Sequence, residues 1–174
     1  MTGMPERSPL YEAPQGLPPK QPIWPKVIGI ISIVLASLGL ICTPISLLVS
    51  MRGANAEEAL KFFPDWWPMY TTVSVLLGIL QAILLLAAGI VVLLKRPVGR
   101  FLHLVYAVIT IVLGMASSAI GATSILTGDM PAPIKMGAAV AIFIGVLVGM
   151  IYPVFLLIWF LRPKIRDQVA AWGR

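Results

Sequence analysis

Four long stretches of this chain contain no Asp, Glu, Lys or Arg, and short polar segments separate them. The stretches cover residues 27–51, 66–94, 101–128 and 136–161. Each is longer than the roughly 20 residues that an α-helix needs to cross about 30 Å of hydrocarbon. The pattern therefore predicts an all-α membrane protein with four transmembrane helices.

Composition points the same way. Of the 174 residues, 59% are hydrophobic and only 11% are charged, and the mean hydropathy is +0.94. Soluble domains carry roughly 25% charged residues. A soluble domain of this length has too small an interior to bury so much apolar surface. A water-soluble class is therefore excluded.

The basic residues predict a topology. Ten of the 13 Lys and Arg residues lie before helix 1, between helices 2 and 3, or after helix 4: Arg7, Lys20, Lys26, Lys95, Arg96, Arg100, Arg162, Lys164, Arg166 and Arg174. Only Arg52, Lys61 and Lys135 lie on the other side. By the positive-inside rule, both termini are predicted to be cytoplasmic. Topology thus explains the net charge of +6, and no nucleic-acid partner is expected.

The segments flanking the four-helix domain, 26–163, differ in composition. Residues 1–25 hold seven of the 15 prolines, which predicts a disordered cytoplasmic tail. Residues 164–174 read KIRDQVAAWGR, with apolar residues at positions 165, 169 and 172. This spacing predicts a short amphipathic cytoplasmic tail on the inner leaflet.

The outer loop between helices 1 and 2 contains the stretch KFFPDWWPMY at 61–70. The residues before it have the apolar periodicity of a short helix, predicted over about 56–63 on the outer leaflet. Trp66, Trp67 and Tyr70 are predicted to form part of an aromatic belt, and Trp24 and Trp159 to act as further interfacial anchors. The loop is a candidate lid or partner-binding surface.

Two short motifs recur along the chain. RPVGR at 96–100 matches RPKIR at 162–166, and ISIVL at 31–35 matches ITIVL at 109–113. These matches predict two helical hairpins, 26–100 and 101–166, that run in the same direction. Such a parallel repeat is related by an axis along the membrane normal.

Small residues repeat with a seven-residue period in helices 1 and 3. In helix 1 they are Gly29, Ser32, Ala36, Gly39, Thr43, Ser46 and Ser50. In helix 3 they are Ala107, Thr110, Gly114, Ser117, Gly121, Ser124 and Gly128. Small faces let helix backbones approach closely in lipid. These two seams are predicted to pack on each other or on their hairpin partners.

Helix 4 carries a different small-residue pattern, with Ala141, Gly145 and Gly149 four residues apart. This spacing is typical of a close right-handed helix crossing. It favours contact with another subunit, so a homo-oligomer or other membrane proteins are the expected partners besides the lipid bilayer.

Residues that could carry chemistry are scarce. The spans hold no ionisable side chain except His103, predicted at the cytoplasmic edge of helix 3, where it would touch lipid headgroups or a backbone carbonyl. Gln81 is the most polar side chain deep in helix 2 and could hydrogen-bond across the bundle. One His and one Cys cannot build a zinc or bis-histidine haem site within one chain. No catalytic residue, metal or cofactor is therefore expected, and the chain is predicted not to be an enzyme.

The segment GIISIVLASLGLIC at 29–42, after a proline-rich tail, resembles the first span of small uncharacterised bacterial multi-pass inner-membrane proteins. The resemblance covers about residues 15–50 and implies a bacterial inner-membrane location. It carries over no catalytic residue.

Three functional hypotheses follow. The first is a non-enzymatic accessory or scaffold subunit that acts through helix–helix contacts, as the small-residue seams indicate. The alternative is a small-solute transporter or channel with its path at a subunit interface, which the repeat and Gln81 favour. The third, an enzyme acting on lipids, would depend on His103.

Overall fold

The computed structural model describes residues 22–52, 63–128 and 131–173, and throughout these ranges the regular structure is helical with no strand. Four of its helices are long and apolar enough to cross a membrane. They are α1 (Trp24–Arg52), α2 (Trp67–Leu93), α3 (Val98–Thr127) and α4 (Ala132–Leu161). The all-α fold with four membrane-length helices is confirmed.

Three of the four helices begin before the charge-free runs that predicted them, whereas α2 lies within its run. Lys26, Arg100 and Lys135 all lie inside helices, because a helix satisfies its own backbone hydrogen bonds past the edge of the hydrocarbon. Helix α1 also begins inside the predicted 1–25 tail, since Pro25 is tolerated in a first turn. The rest of that tail and nearly all of the predicted 56–63 helix lie outside the described residues. Phe63, the last residue of that helix prediction, is not helical.

Sequential helices pack as antiparallel neighbours: α1 on α2, α2 on α3, and α3 on α4. We call the end that holds Trp24 and the α2–α3 turn the basic end, and the opposite end the far end. At the basic end α1 also meets α4, because the Trp24 and Phe160 rings lie 6.0 Å apart. Both ends of the described chain therefore lie at the same end of the bundle.

The turn between α2 and α3 has the hydrogen bonds of a Schellman motif. Arg96 N–H donates to Val91 O and Lys95 N–H donates to Val92 O, each at 3.0 Å. Lys95 takes the left-handed φ of 52° that this motif usually gives to glycine. Gly99 then passes so close that a Cβ there would lie 2.6 Å from Val92 Cγ2. The turn therefore fixes α3 tightly against α2.

The main hydrophobic core lies at the basic end. Its buried side chains are Ile28, Val92, Ala107, Leu156, Phe160, Ile165 and Val169. The last two belong to a fifth helix, α5 (Pro163–Ala170), which a short 3₁₀ turn, Ala171–Gly173, follows. The predicted amphipathic segment thus contains a helix, and its apolar residues Ile165 and Val169 pack on the bundle.

Candidate functional site: an open groove and a buried polar junction

The small-residue seam of α1 packs against α2. A Cβ built on Gly29 would lie 3.0 Å from Gly89 O, and one built on Gly89 would lie 3.0 Å from Gly29 O. The two backbones therefore approach closely enough for reciprocal Cα–H···O contacts. A Cβ on Gly89 would also lie 2.9 Å from Ser32 Cβ. The close approach of α1 and α2 at this point therefore requires glycine at both position 29 and position 89.

The same seam continues along α1 toward the far end. A Cβ built on Gly39 would lie 3.4 Å from Ala82 Cβ of α2. A Cβ built on Gly78 of α2 would lie 3.6 Å from Thr43 Cγ2. Ala36, one turn before Gly39, is 1% exposed. The predicted choice between packing on helix 3 and packing on the hairpin partner is thus settled for α1, because α2 presents its own small residues at matching positions.

The α3 seam meets larger side chains. A Cβ on Gly114 would lie 3.1 Å from Met150 Cε, and one on Gly121 would lie 3.0 Å from Ile142 Cδ1. Both neighbours are flexible tips of side chains and not backbone atoms. The α3 and α4 backbones are therefore held apart where those of α1 and α2 touch.

This separation leaves a groove of about 610 Å³ between α3 and α4. We call it the α3–α4 groove. Its lining comprises Phe63, Trp67, Tyr70, Thr110, Gly114, Ser117, Ser118, Gly121, Ile125, Ala138, Ala141, Ile142, Gly145, Val146, Gly149 and Met150. It runs from mid-bundle to the far end, and its volume falls in the range of small-molecule sites.

The small stripe of α4 borders this groove without any neighbour of its own. Nothing lies within 4 Å of a Cβ built on Gly145 or Gly149. The predicted close crossing at these residues is therefore not made inside the described part of the chain. Gly137, nearer the start of the same helix, is equally open but lies outside the groove lining.

Aromatic side chains at the start of α2, together with Phe63 just before it, form one wall of the groove. Phe63 stacks on Trp67 with ring centroids 4.4 Å apart, and Trp67 contacts Tyr70 at 5.3 Å. Tyr70 Oη donates a hydrogen bond of 3.4 Å to Ser117 O on α3. Of the predicted aromatic belt, Trp67 and Tyr70 thus contact the bundle, whereas Trp66 stays 47% exposed.

A buried polar junction joins three helices near the basic end. Ser32 Oγ of α1 lies 2.9 Å from His103 Nε2 of α3 and 2.6 Å from Tyr152 Oη of α4. The same hydroxyl lies 2.9 Å from Ile28 O, and His103 Nδ1 lies 2.8 Å from Gly99 O. Ser32 and His103 are both 0% exposed.

Of the two contacts predicted for His103, the one with a backbone carbonyl is made, whereas the buried ring leaves no surface for the one with lipid headgroups. The ring turns into the bundle because hydrogen bonds to Ser32 and Gly99 satisfy both nitrogens. Sequence reasoning missed Tyr152 and the role of Ser32, which lie 120 residues apart. The sequence offers one hint of their contact: Ser32, His103 and Tyr152 all lie within about ten residues of the basic end of their helices.

The junction has the connectivity of a catalytic triad. The Ser32 hydroxyl would be the nucleophile, the His103 ring the base and the Gly99 carbonyl the group that orients the ring. Neither Ser32 nor His103 has exposed surface, and neither lines the α3–α4 groove. A substrate therefore has no approach to the hydroxyl in this arrangement, and the geometry serves helix–helix contact.

The remaining predicted polar contact is weak. Thr110 Oγ1 donates to Gln81 Oε1 at 3.4 Å, which joins α2 to α3 at mid-depth. Ser124, from the predicted α3 seam, hydrogen-bonds only within its own helix, to Ile120 O at 2.9 Å, among the bonds that the structure gives it.

The predicted anchors Trp24 and Trp159 form part of a half-buried aromatic cluster that packs against the core at the basic end. Trp24 stacks on Trp172 at 5.3 Å and donates from Nε1 to Gln168 Oε1 at 2.8 Å. It also meets Trp159 edge-on at 6.4 Å. The start of α1 is thus held by the segment that follows α4.

The described residues contain no group of three or more His, Cys, Asp or Glu side chains that could hold a metal ion. Comparison with known protein families, curated proteins and solved structures returns no match. The function is therefore argued from the groove and the junction alone.

Proposed function

We propose that this chain is a membrane-embedded, non-enzymatic accessory or scaffold subunit, and that it acts through helix–helix contacts made by α3 and α4. The observation that carries the proposal is the open stripe at Gly145 and Gly149, beside a groove that no part of the described chain fills.

Close packing is what brings helices together in lipid. Lipid tails are as apolar as the side chains, so association depends on close packing and not on the hydrophobic effect. The α1–α2 pair uses its small residues in this way, with Gly29 against Gly89. The stripe of α4 offers the same chemistry to a helix from outside. A partner helix there would gain the contacts that the chain itself leaves unmade.

The proposed setting is a bacterial inner membrane with both termini in the cytoplasm. The location rests on the resemblance of the first span. The orientation rests on the charge count, with ten basic residues against three across the membrane.

The test is oligomeric and partner state in native membranes. Gly145→Leu with Gly149→Leu would fill the stripe with side chains. We expect this variant to fold and to lose its higher-order complex in cross-linking and native purification. Ala139→Leu is the matched control, since it adds a leucine at an exposed position that lies outside the groove lining and off the four-residue stripe. A complex that survives the double substitution, or a wild-type chain that is monomeric in its native membrane, would contradict the proposal.

A second candidate is a small-solute transporter or channel with its path along the groove at a subunit interface. The volume of about 610 Å³ and the hydroxyls of Ser117, Ser118 and Thr110 on its wall favour this reading. Reconstituted protein in liposomes would then show flux of at least one small solute. Absence of flux across a diverse panel, with the complex intact, would leave the scaffold as the better account.

A further inference from the structure

We propose that His103 is a reversible proton-binding site, and that the Ser32 hydroxyl couples its protonation state to α1 and α4. This goes beyond the scaffold proposal, because the junction lies away from the α3–α4 groove. It rests on one feature of the junction: a single serine proton has two acceptors within reach.

The hydrogen-bond directions follow from the partners. Gly99 O can only accept, so the Nδ1 that lies 2.8 Å from it carries a proton. In the neutral ring Nε2 is then an acceptor, and the Ser32 hydroxyl donates to it across 2.9 Å. Tyr152 O–H donates to Ser32 Oγ across 2.6 Å. Every member of the junction is satisfied in this state.

Protonation of His103 needs one hydroxyl rotation. Nε2 becomes a donor to Ser32 Oγ, and the serine proton turns to Ile28 O, 2.9 Å away. Ser32 Oγ then accepts from both His103 and Tyr152, which uses its two lone pairs. The junction can therefore gain a proton with all hydrogen bonds made and without moving a heavy atom.

The added charge would face no described anion. At the basic end, the titratable and charged side chains on the surrounding elements are Lys26 on α1, Lys95 and Arg96 at the α2–α3 turn, Arg100 and Tyr106 on α3, Tyr152 on α4, Arg162 after it, and Lys164, Arg166 and Asp167 on α5. Asp167 is the one carboxylate in this set, and it is exposed and lies 3.7 Å from Arg166. A buried charge without a counter-ion is costly, so protonation acts on how α1, α3 and α4 pack.

We expect proton exchange to run through Tyr152: its Oη takes up a proton while its own hydroxyl proton passes to Ser32 Oγ, and the serine proton passes to His103 Nε2. Tyr152 is half-buried, whereas Ser32 and His103 have no exposed surface. Its hydroxyl contacts Ser32 directly, so it links the junction to the surface of α4.

The test uses the fact that His103 is the only histidine in the chain. In full-length protein labelled with ¹⁵N-histidine and held in lipid nanodiscs, the ring nitrogens report on this residue alone. We expect the Nδ1–H tautomer at high pH and one reversible titration between about pH 4 and 9. A ring that never titrates, or one that carries the proton on Nε2 at high pH, would overturn the proposal.

Variants test the coupling. Ser32→Ala should move the titration midpoint by about one pH unit, a tenfold change in proton affinity. Ser118→Ala is the control, because its hydroxyl bonds to Gly114 O on its own helix. Where Ser32→Ala fails to fold, Tyr152→Phe is measured instead and should also move the midpoint. An unchanged midpoint in the folded variant would overturn the coupling.

Discussion

The helix pairs α1–α2 and α3–α4 each include a helix with the same seven-residue spacing of small residues, yet the two pairs pack differently. In α1–α2 both helices present small residues, and the backbones touch at Gly29 and Gly89. In α3–α4 the seam of α3 meets Ile142 and Met150, which hold the helices apart. A small-residue seam thus permits a close helix–helix contact, but the side chains of the facing helix decide whether the two backbones come together.

The difference has a consequence for function. The α1–α2 hairpin satisfies its close contacts internally, whereas the α3–α4 hairpin keeps a groove of about 610 Å³ and an open stripe on α4. The α1–α2 pair is therefore the more closely packed half of the bundle. The second is the half with surface left for a partner.

The largest expected effect is at the contact that closes the first hairpin. Gly89→Leu would place a side chain where Ser32 Cβ and Gly29 O already lie within 3.0 Å. Because backbone cannot give way, we expect a loss of about 3 kcal/mol or more in unfolding free energy. Detergent-resistant folded protein, measured by size-exclusion chromatography, should fall sharply. Gly149→Leu, on the open stripe, should leave it unchanged, and equal damage from both would remove the distinction between the hairpins.

The turn that joins the hairpins offers a second test. Gly99→Ala would put a Cβ 2.6 Å from Val92 Cγ2 and 2.9 Å from Val92 N, so we expect a loss of about 2 kcal/mol. Gly121→Ala meets only the tip of Ile142, and its gain in helix propensity of about 1 kcal/mol should offset the contact. Steric trapping or reversible SDS unfolding would measure both. Similar losses for the two variants would mean that α3 and α4 are packed as tightly as the turn.

The buried junction predicts a smaller and more specific loss. Ser32→Ala removes the partner of both His103 Nε2 and Tyr152 Oη, which should lower the free energy of unfolding by about 1 to 2 kcal/mol. Adding Tyr152→Phe removes one orphaned group, so the double variant should be less unstable than the sum of the single ones. Strict additivity in the same unfolding assay would show that the two hydroxyls are not coupled.

The smallest effect is expected where α2 meets α3 at mid-depth. Gln81→Leu removes a hydrogen bond of 3.4 Å to Thr110, worth about 0.6 kcal/mol in membranes. Thermal unfolding in detergent should show a difference near the limit of detection. A loss above about 2 kcal/mol would assign Gln81 a buried role that the structure does not give it.

The sequence predicted the helices well because hydrocarbon thickness dictates them. Four charge-free runs located the four helices to within a few residues, and the errors fell at Lys26, Arg100 and Lys135, where charged residues extend a helix. The absence of charges marks the part of a helix that can lie in hydrocarbon. It does not mark the end of the helix, because the backbone hydrogen bonds continue into charged residues. The two-hairpin repeat and the orientation of the termini remain predictions.

The site was less accessible to sequence reasoning. The small-residue spacing identified Gly29 and Gly39 as packing residues, and both face α2. The same spacing could not show that Ile142 and Met150 would keep the second seam open, because that depends on which face α4 turns to α3. The hydrogen bond between His103 and Ser32 was also missed, since the two residues are 71 positions apart in the sequence.

The most direct test of the central claim is a photo-cross-linking scan along α4 in native membranes. A cross-linker placed in turn at each position from 137 to 151 reports what lies against that position. The account predicts protein adducts that recur near Ala141, Gly145 and Gly149 with helical periodicity, and lipid adducts at Ile144 and Ile151, which are 54% and 67% exposed. Lipid adducts at every position, with no protein adduct on the small stripe, would contradict it.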